Sequence, residues 1–554
     1  MGFVDLHVHS CRSDGTMTPH ELVDYAIEKG LEAIALTDHD TVDGLEEMTA
    51  YAKGKPVEII PGIEYSTEYN HRDVHIVGLF IDYKAPVFLE YLARFKQSRV
   101  DRNYKLCARL QGTGIDITYE ALREAYPDAV ITRAHYAGYL LDKGYVKSRN
   151  EAFERYLGDH TPYFVHREKI TPEEVIEVTL KAGGIPVLAH PTLYKLGREQ
   201  LELLVRRLKE AGLMGMECYY STYTPSETKQ MKELAKKYHL LPSGGSDFHG
   251  AAKPGLDLGA GYGRLCVPYE ILADLKKALH TKILFTDLDG TLLDSKKAIS
   301  ENTRDAVIKM LSKGNHLALA SGRPCNSILD VLAMLDLPKE NLAGSVYITA
   351  YNGALLYDCA KQAVVEQYTV PIPVAQAIFD LALRMGIHIQ TYTETHVVSC
   401  AEDEEIRYYT QTVRVPYKVG TVLEHELPHA PFKLLAIALD GRPRLEAFRS
   451  AFKASEYASE IACEFSCARY LEFYNRQAGK GNALRHLCSA VHVHIKNTVA
   501  AGDDENDISM LKAAAVGVCM ANGTPALKEI AAYITEHDND HDGIAEIIER
   551  FDLK

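Results

Sequence analysis

The chain has no apolar run long enough to span a bilayer, so no membrane partner is expected. It has no basic segment ahead of its first apolar residues, MGFVDLHV, and no secretory signal is expected. Its 11 cysteines form no paired framework. Cys463 and Cys467 lie four apart, and no second close pair completes a thiolate zinc site. Reduced thiols in a cytoplasmic protein are the simplest account. A basic excess is missing too: Lys and Arg number 34 against 40 Asp and Glu in residues 1–280, and 27 against 36 in the remainder, for a net charge of −15. That excludes a footprint gripping long nucleic acid by its phosphates, and no DNA partner is expected. Internal repeats and low-complexity tracts are absent as well. An acidic protein still binds phosphorylated molecules when metal ions supply the positive charge.

What is present is the composition of ordinary globular domains, with 46% apolar and 25% charged residues in 554, a length that implies several structural units. In the first half, β-rich runs (IALTDHD, VEIIPGIEYS, DVHIVGLF, IPVLAHP, MGMECYY, LLPSGGSDFHG) alternate with helical stretches. Thr18-Pro-His-Glu21, Thr171-Pro-Glu-Glu174 and Thr224-Pro-Ser-Glu227 mark three helix starts, with threonine as cap, proline at the first position and glutamate reaching back. His20 belongs to such a box and is given no chemistry. Strand–helix alternation predicts an α/β barrel or an open doubly wound sheet. Residues 86–165 break the rhythm and read as a helical insertion. Near residue 280 the pattern restarts without a linker, giving units 1–280 and 281–554. In the second, a stretch of about 371–475 interrupts an α/β core of 281–370 and 476–554.

The apolar runs of the first half end in metal-type ligands. VDLHVHSCRSDGT carries His7 and His9, which share one face of a strand, and Asp14 in the loop beyond. His39 ends IALTDHD, Glu64 lies in IIPGIEYS, His75 in DVHIVG, His190 in VLAHP, and Asp247 and His249 in SGGSDFHG. Residues at the C-terminal ends of barrel strands converge on one face. Imidazoles mixed with carboxylates and free of cysteine suit Mn, Fe or Zn, and nine ligands imply two or three divalent ions, with Glu64 able to bridge. Clustered ions generate hydroxide at neutral pH and hold both oxygens of a displacement, which suits phosphate-ester hydrolysis.

These motifs together resemble the PHP (polymerase and histidinol phosphatase) superfamily. The resemblance covers residues 1–280 and implies a distorted (βα)7 barrel. TRAHYAGYLLDKGYVKSRNEAFERYLG followed by GGIPVLAHP is similar to the branch that dephosphorylates nucleoside 3′,5′-bisphosphates and trims short RNA from its 5′ end. In that branch an arginine and a histidine of the insertion hold substrate phosphate, and Arg133 and His135 match them. The branch has proline between the two, where this chain has Ala134.

KILFTDLDGTLLD opens the second half with Asp287 and Asp289 at a strand end, again two apart. One can attack phosphorus while the other protonates the leaving oxygen. LALASGR adds Ser321 as a phosphate donor, AGKGNALRHL adds Lys480 as a countercharge, and AAGDDENDISML offers Asp503 and Asp507 to Mg, with Asn506 between them. In this order the pieces resemble the haloacid dehalogenase (HAD) superfamily. Asn352 in YITAYNGALL and the insertion before Lys480 are similar to its Cof-type branch. The resemblance implies a Rossmann-like core with an inserted α+β cap, Asp287 as nucleophile, Asp289 as acid/base, Ser321, Lys480, Asn352 and Asn506 on the substrate side, and magnesium among Asp287, Asp289, Asp503 and Asp507. Asn475 stands where that branch has an acidic residue.

The expectation is a bifunctional phosphohydrolase whose partners are small phosphorylated substrates and short RNA. Two other readings stay open at this point: a first head acting on another phosphomonoester such as histidinol phosphate, or one head serving as a regulatory ligand-binding module. The oligomeric state is not legible.

Overall fold

In the first strand, β1 (Phe3–Val8), Val4 and Leu6 join one apolar cluster and Val8 another, while His7, and His9 just beyond the strand end, are buried in between. The structure is a computed structural model. It describes residues 2–554 except 71, 159, 166–169, 339–341, 343, 394–395 and 414. The chain divides into two compact units, Met1–His280 and Thr281–Lys554.

In the first unit β1 is followed by β2 (Leu31–Leu36), β3 (Glu58–Tyr69), β4 (Arg72–Leu79), β5 (Ile185–Leu188), β6 (Gly215–Tyr220), β7 (Leu241–Gly245) and the short β8 (Val267–Pro268). They form one sheet in the order β7-β6-β5-β4-β3-β2-β1-β8. The sheet curls toward closure beyond β7: Asp247 N–H donates to the His7 carbonyl (2.9 Å) and His9 N–H to the Phe248 carbonyl (3.0 Å). The result is a distorted α/β barrel. Its distortion is the antiparallel hairpin β3–β4, with Ser66 opposite His75, where regular alternation would place a helix. Helices Pro86–Gln111, Tyr119–Ala125 and Arg133–Asp142 lie between β4 and β5. Helix Tyr269–His280 then packs Leu272 and Leu275 with Val4 and Leu6. At roughly 1.5–3 kcal/mol per buried leucine, this contact pins the segment that follows the last ligand loop beneath β1.

Two of the three capping boxes are complete. Glu21 and Glu227 accept the backbone N–H of Thr18 and Thr224, at 2.8 Å each. The third is half made. Thr171 accepts from Glu174 N–H (3.3 Å), but the Glu174 carboxylate pairs with Arg94, a competing charge that the local pattern does not reveal. His20 stacks on Tyr51 and takes no part in the ligand cluster.

The second unit contains β9 (Ile283–Asp287), β10 (His316–Ala320), β11 (Val346–Ala350), β12 (Leu355–Asp358) and β13 (Ala363–Gln367), then β14 (His388–Tyr392), β15 (Val397–Ser399), β16 (Tyr417–Val419), β17 (Lys433–Ile437), β18 (Ile461–Cys467) and β19 (Tyr470–Asn475), and finally β20 (Thr498–Gly502), β21 (Val516–Cys519) and β22 (Tyr533–Ile534). The core sheet runs β13-β12-β11-β10-β9-β20-β21-β22, parallel from β11 to β22, with an antiparallel β12–β13 edge. It is a Rossmann-like sheet, and loops at the C-terminal ends of its parallel strands are where such sheets bind ligands. The cap is a second sheet, β16-β15-β14-β17-β19-β18. Leu434 and Ala436 of β17 join one apolar cluster with Phe448 and Phe452, while Leu435 and Ile437 join another with Ile406. Both cap faces are therefore covered by helices, and a period of two sorts the strand between them.

All eleven cysteines are free thiols. Among the described residues no helix is long and apolar enough to cross a membrane.

Two candidate metal-binding active sites

In the first unit the nine ligand-type residues come together. Glu64 is the hub. Its Oε2 lies 3.3 Å from His7 Nε2, 3.3 Å from His9 Nε2 and 3.1 Å from His39 Nδ1, while its Oε1 lies 2.8 Å from His75 Nδ1 and 3.0 Å from His190 Nε2. Asp14 Oδ1 faces His249 Nε2 at 3.2 Å, and Asp247 Oδ1 faces His9 Nε2 at 3.2 Å. His75 does not end its strand. Because β4 runs antiparallel to β3, a mid-strand residue reaches the same end of the barrel.

The fold aims these groups. Tyr220 OH (2.6 Å) and Lys253 Nζ (2.5 Å) both donate to Asp247 Oδ2, which turns Oδ1 to the imidazoles. His249 Nδ1 donates to the Asp247 carbonyl (2.8 Å), leaving Nε2 for the cluster. Sequence reasoning missed Glu217 of β6. It accepts from His7 Nδ1 (2.9 Å) and from the His190 backbone N–H (2.6 Å), fixing His7 with its Nε2 lone pair inward. The signal was there, a lone charge inside the apolar strand MGMECYY. Asp38, beside His39, is bound by Ser10 and Ser13 (2.6 and 2.5 Å), and burial raises it to about 6.

The residues present fit divalent cations. His7 Nε2, His9 Nε2, His39 Nδ1 and Asp14 Oδ1 are buried without a hydrogen-bond partner, an arrangement costly for polar atoms and natural for ligand atoms. Three sets have donor atoms within 4.8 Å of one another: His9, Asp14, His39 and His249; His7, His9 and Glu64; and His39, Glu64 and His75. Burial pushes Glu64 and Asp247 up, but surrounding imidazoles, and Lys253 beside Asp247, outweigh it and hold both well below the usual carboxylate range.

A cavity of about 390 Å³ opens beside the cluster, with His39, His75 and His249 on one side and Arg102, Arg133, Arg149 and Lys253 on others. Arg133 pairs with Asp73 and bonds the Leu157 carbonyl (3.1 Å). His135 does not line this cavity. Its Nδ1 accepts the Thr132 N–H (2.9 Å) as part of a helix cap, and burial drives its pKa down to about 4.

In the second unit Asp287 ends β9, Ser321 and Asn352 follow β10 and β11, and Asp503 follows β20. Lys480, 1% exposed, donates to Asp287 Oδ1 (2.5 Å) and Asp507 Oδ1 (2.6 Å). Asp287, Asp503 and Asp507 form a three-carboxylate cluster of metal-holding dimensions. Burial, with Asp507 and Asp503 alongside, raises Asp287 to about 7 even against Lys480, and burial raises Asp503 to about 6. Carboxylates that burial and one another push toward neutrality gain from a cation among them, and hard oxygen donors fit Mg²⁺. Gly290, at φ +85°, is required here: a Cβ would stand 2.4 Å from Asp503 Oδ2.

The Asp289 carboxylate lies outside that cluster. Arg323 grips it with Nε (2.8 Å) and Nη2 (2.5 Å), and Lys297 adds a third contact (2.7 Å). Burial opposes these cations, which still hold the group below its ordinary value. Arg323 ends LALASGR, where nothing in the local pattern shows that it reaches Asp289. Asn506 is exposed, whereas Asn352 Nδ2 donates to Glu472 of the cap at 2.7 Å.

Two buried clusters of ligating side chains, one imidazole-rich with a cationic cavity and one of carboxylates around a lysine, define metal-dependent hydrolases of phosphate esters. Residues 5–161 match the PHP domain and residues 284–548 match haloacid dehalogenase-like hydrolases, and the chain belongs to both families, one in each unit. A 5′-3′ exoribonuclease of Haemophilus influenzae is 38% identical over 245 residues, covering 44% of this chain and 89% of its own. A 3′,5′-nucleoside bisphosphate phosphatase of Chromobacterium violaceum is 34% identical over 260 residues, 47% of this chain and 91% of its own. For the second unit, a Streptococcus pyogenes protein provisionally named a phosphatase is 30% identical over 275 residues, 49% of this chain and 98% of its own.

Proposed function

We propose that the first unit hydrolyses nucleoside 3′,5′-bisphosphates or short 5′-phosphorylated RNA, and that the second is an Mg²⁺-dependent phosphomonoesterase for a small metabolite. The observation that carries the first reading is the cavity beside the ligand cluster, where Arg102, Arg133 and Arg149 offer guanidinium groups to a phosphate other than the one being cleaved. His7, His9, Asp14, His39, Glu64, His75, His190, Asp247 and His249 would hold two or three ions of the Mn, Fe or Zn type. Such ions polarise the scissile phosphate and supply hydroxide at neutral pH. Lys253, Tyr220 and Glu217 keep the ligands in place.

In the second unit Asp287 attacks phosphorus, forming a carboxyl–phosphate bond as the bond to the leaving oxygen breaks. Asp289 gives that oxygen a proton, and water then cleaves the aspartyl-phosphate. Lys480 and Ser321 bind the phosphoryl oxygens. Asp503 and Asp507 would join Asp287 in holding Mg²⁺. An arriving phosphate competes for Arg323 and Lys297, which releases Asp289 to carry the proton it must donate.

Assay of the full chain on nucleoside bisphosphates, short 5′-phosphorylated RNA, AMP and sugar phosphates tests both readings. Arg133→Ala should raise KM for a bisphosphate about tenfold or more while leaving a substrate without the second phosphate nearly unchanged. Equal effects on both would mean that Arg133 serves only to hold Asp73.

A further inference from the structure

The cap contains a third cluster of ligating side chains that neither hydrolytic site uses. His388 opens β14, Cys400 directly follows β15, and Asp403 precedes helix Glu404–Val413. His388 and Cys400 are buried, and Asp403 keeps a side-chain exposure of 30%. One nitrogen, one sulfur and one oxygen of these residues lie within 4.8 Å of one another.

A chain of hydrogen bonds fixes the imidazole. Tyr392 OH donates to Tyr409 OH (2.9 Å) and so accepts from Gln390 Nε2 (3.2 Å). That leaves Gln390 Oε1 to accept from His388 Nε2–H (3.2 Å). His388 Nδ1 then faces Asp403 Oδ2 at 2.7 Å; burial opposes the charged ring, but Cys400 and Asp403 outweigh it and raise the imidazole to about 9, so without an ion a proton lies between the two atoms. Two electron-rich atoms facing each other beside a thiol require a proton or a cation between them. The oriented outer N–H, held by an amide oxygen, is the supporting contact that metal-ligating histidines ordinarily have.

We propose that His388 Nδ1, Cys400 Sγ and Asp403 bind zinc, with water from the exposed Asp403 side completing a tetrahedron. Sulfur, imidazole and carboxylate together select a borderline thiophilic cation over Mg²⁺. Binding releases two protons to solvent, the thiol's and the one shared by His388 Nδ1 and Asp403 Oδ2. The Nδ1–Oδ2 separation widens by roughly half an ångström to admit an ion about 2.0 Å from each. Asp403 Oδ1 also accepts the Ile406 N–H (3.1 Å), so the ion ties the β14–β15 hairpin to the start of the helix that covers this face of the cap.

Cobalt separates this site from the other two. Among the described residues, the remaining metal-type clusters contain no sulfur donor. Metal-stripped full-length protein reloaded with excess Co²⁺ should show a near-ultraviolet thiolate-to-cobalt charge-transfer band with the intensity of one thiolate-bound cobalt per chain. Cys400→Ser should abolish it, and Asp247→Ala and Asp287→Asn should leave it intact. No band in the unmodified chain, or a band that survives Cys400→Ser, overturns the proposal. Should that variant lose the cap fold, alkylation of the unmodified chain decides. Cys400 should be protected by Zn²⁺ and labelled after chelation, and labelling independent of zinc means an imidazolium bridged to Asp403 and no metal.

Discussion

The two sites differ in where the positive charge that meets phosphate comes from. In the first unit the buried cluster holds imidazoles and carboxylates, and its cations Lys253 and the cavity arginines stand around it. In the second, Lys480 is built into the cluster, paired with Asp287 and Asp507. On the proposed function, the first would depend on imported ions for most of its electrophilic power, Lys253 aside, while the second would import fewer and add Asp287 as a nucleophile. On that reading the histidine content follows: several adjacent ions would be held best with neutral ligands among the carboxylates, whereas one ion beside a lysine would tolerate three carboxylates.

The sharpest break between the two is Asp287→Asn. An amide does not form the acyl-phosphate, so the second activity should fall on the order of 10³-fold or more while the first stays intact. Loss of both in a folded variant would mean a shared site. Next in size, Asp247→Ala or His190→Ala should lower metal content and abolish the first activity alone, read by elemental analysis and turnover. Full occupancy with unchanged turnover would remove these residues from the ligand set.

Glu217→Gln probes the layer behind the ligands. Weakening its hold on His7 should cost roughly 10–100-fold in metal affinity or rate, and a titration curve identical to the parent's would make Glu217 merely a packing residue. The smallest effect concerns pH. Asp287, raised to about 7, and Asp503, raised to about 6, favour the fold when protonated, and that contribution is lost as pH rises through these values. Mg²⁺ binds only the ionised forms. It should raise the melting temperature more at about pH 8 than at about pH 5. An equal shift at both would place the ion on other ligands.

The site was legible where a ligand ends an apolar run, as at His39 or Asp287, because local alternation fixes the direction of the side chain. It was less legible where a partner distant in sequence decides. Thr171 and Glu174 have the spacing of a capping box, yet Arg94 takes the carboxylate. Asp289 has the spacing of a magnesium ligand, yet Arg323 and Lys297 hold its carboxylate in this state. His135 sits two residues from Arg133, but the helix start turns one ring into a cap and the other side chain toward the cavity. Strand direction is the same kind of fact. Nothing in DVHIVG says that β4 runs against β3, and only the pairing shows that His75 reaches Glu64 from mid-strand.

Glu64 faces His7, His9 and His39 through one oxygen and His75 and His190 through the other. A carboxylate placed so has one rotamer to share between neighbours. If two or three ions bind as proposed, the first to arrive would fix that rotamer and with it half of the next ion's surroundings, so loading would be cooperative, with few half-filled molecules. Titration of the stripped first unit's ligands should therefore be steeper than independent sites allow. Where the metal supply fluctuates, a site loaded in this way would switch between empty and competent over a narrow concentration range.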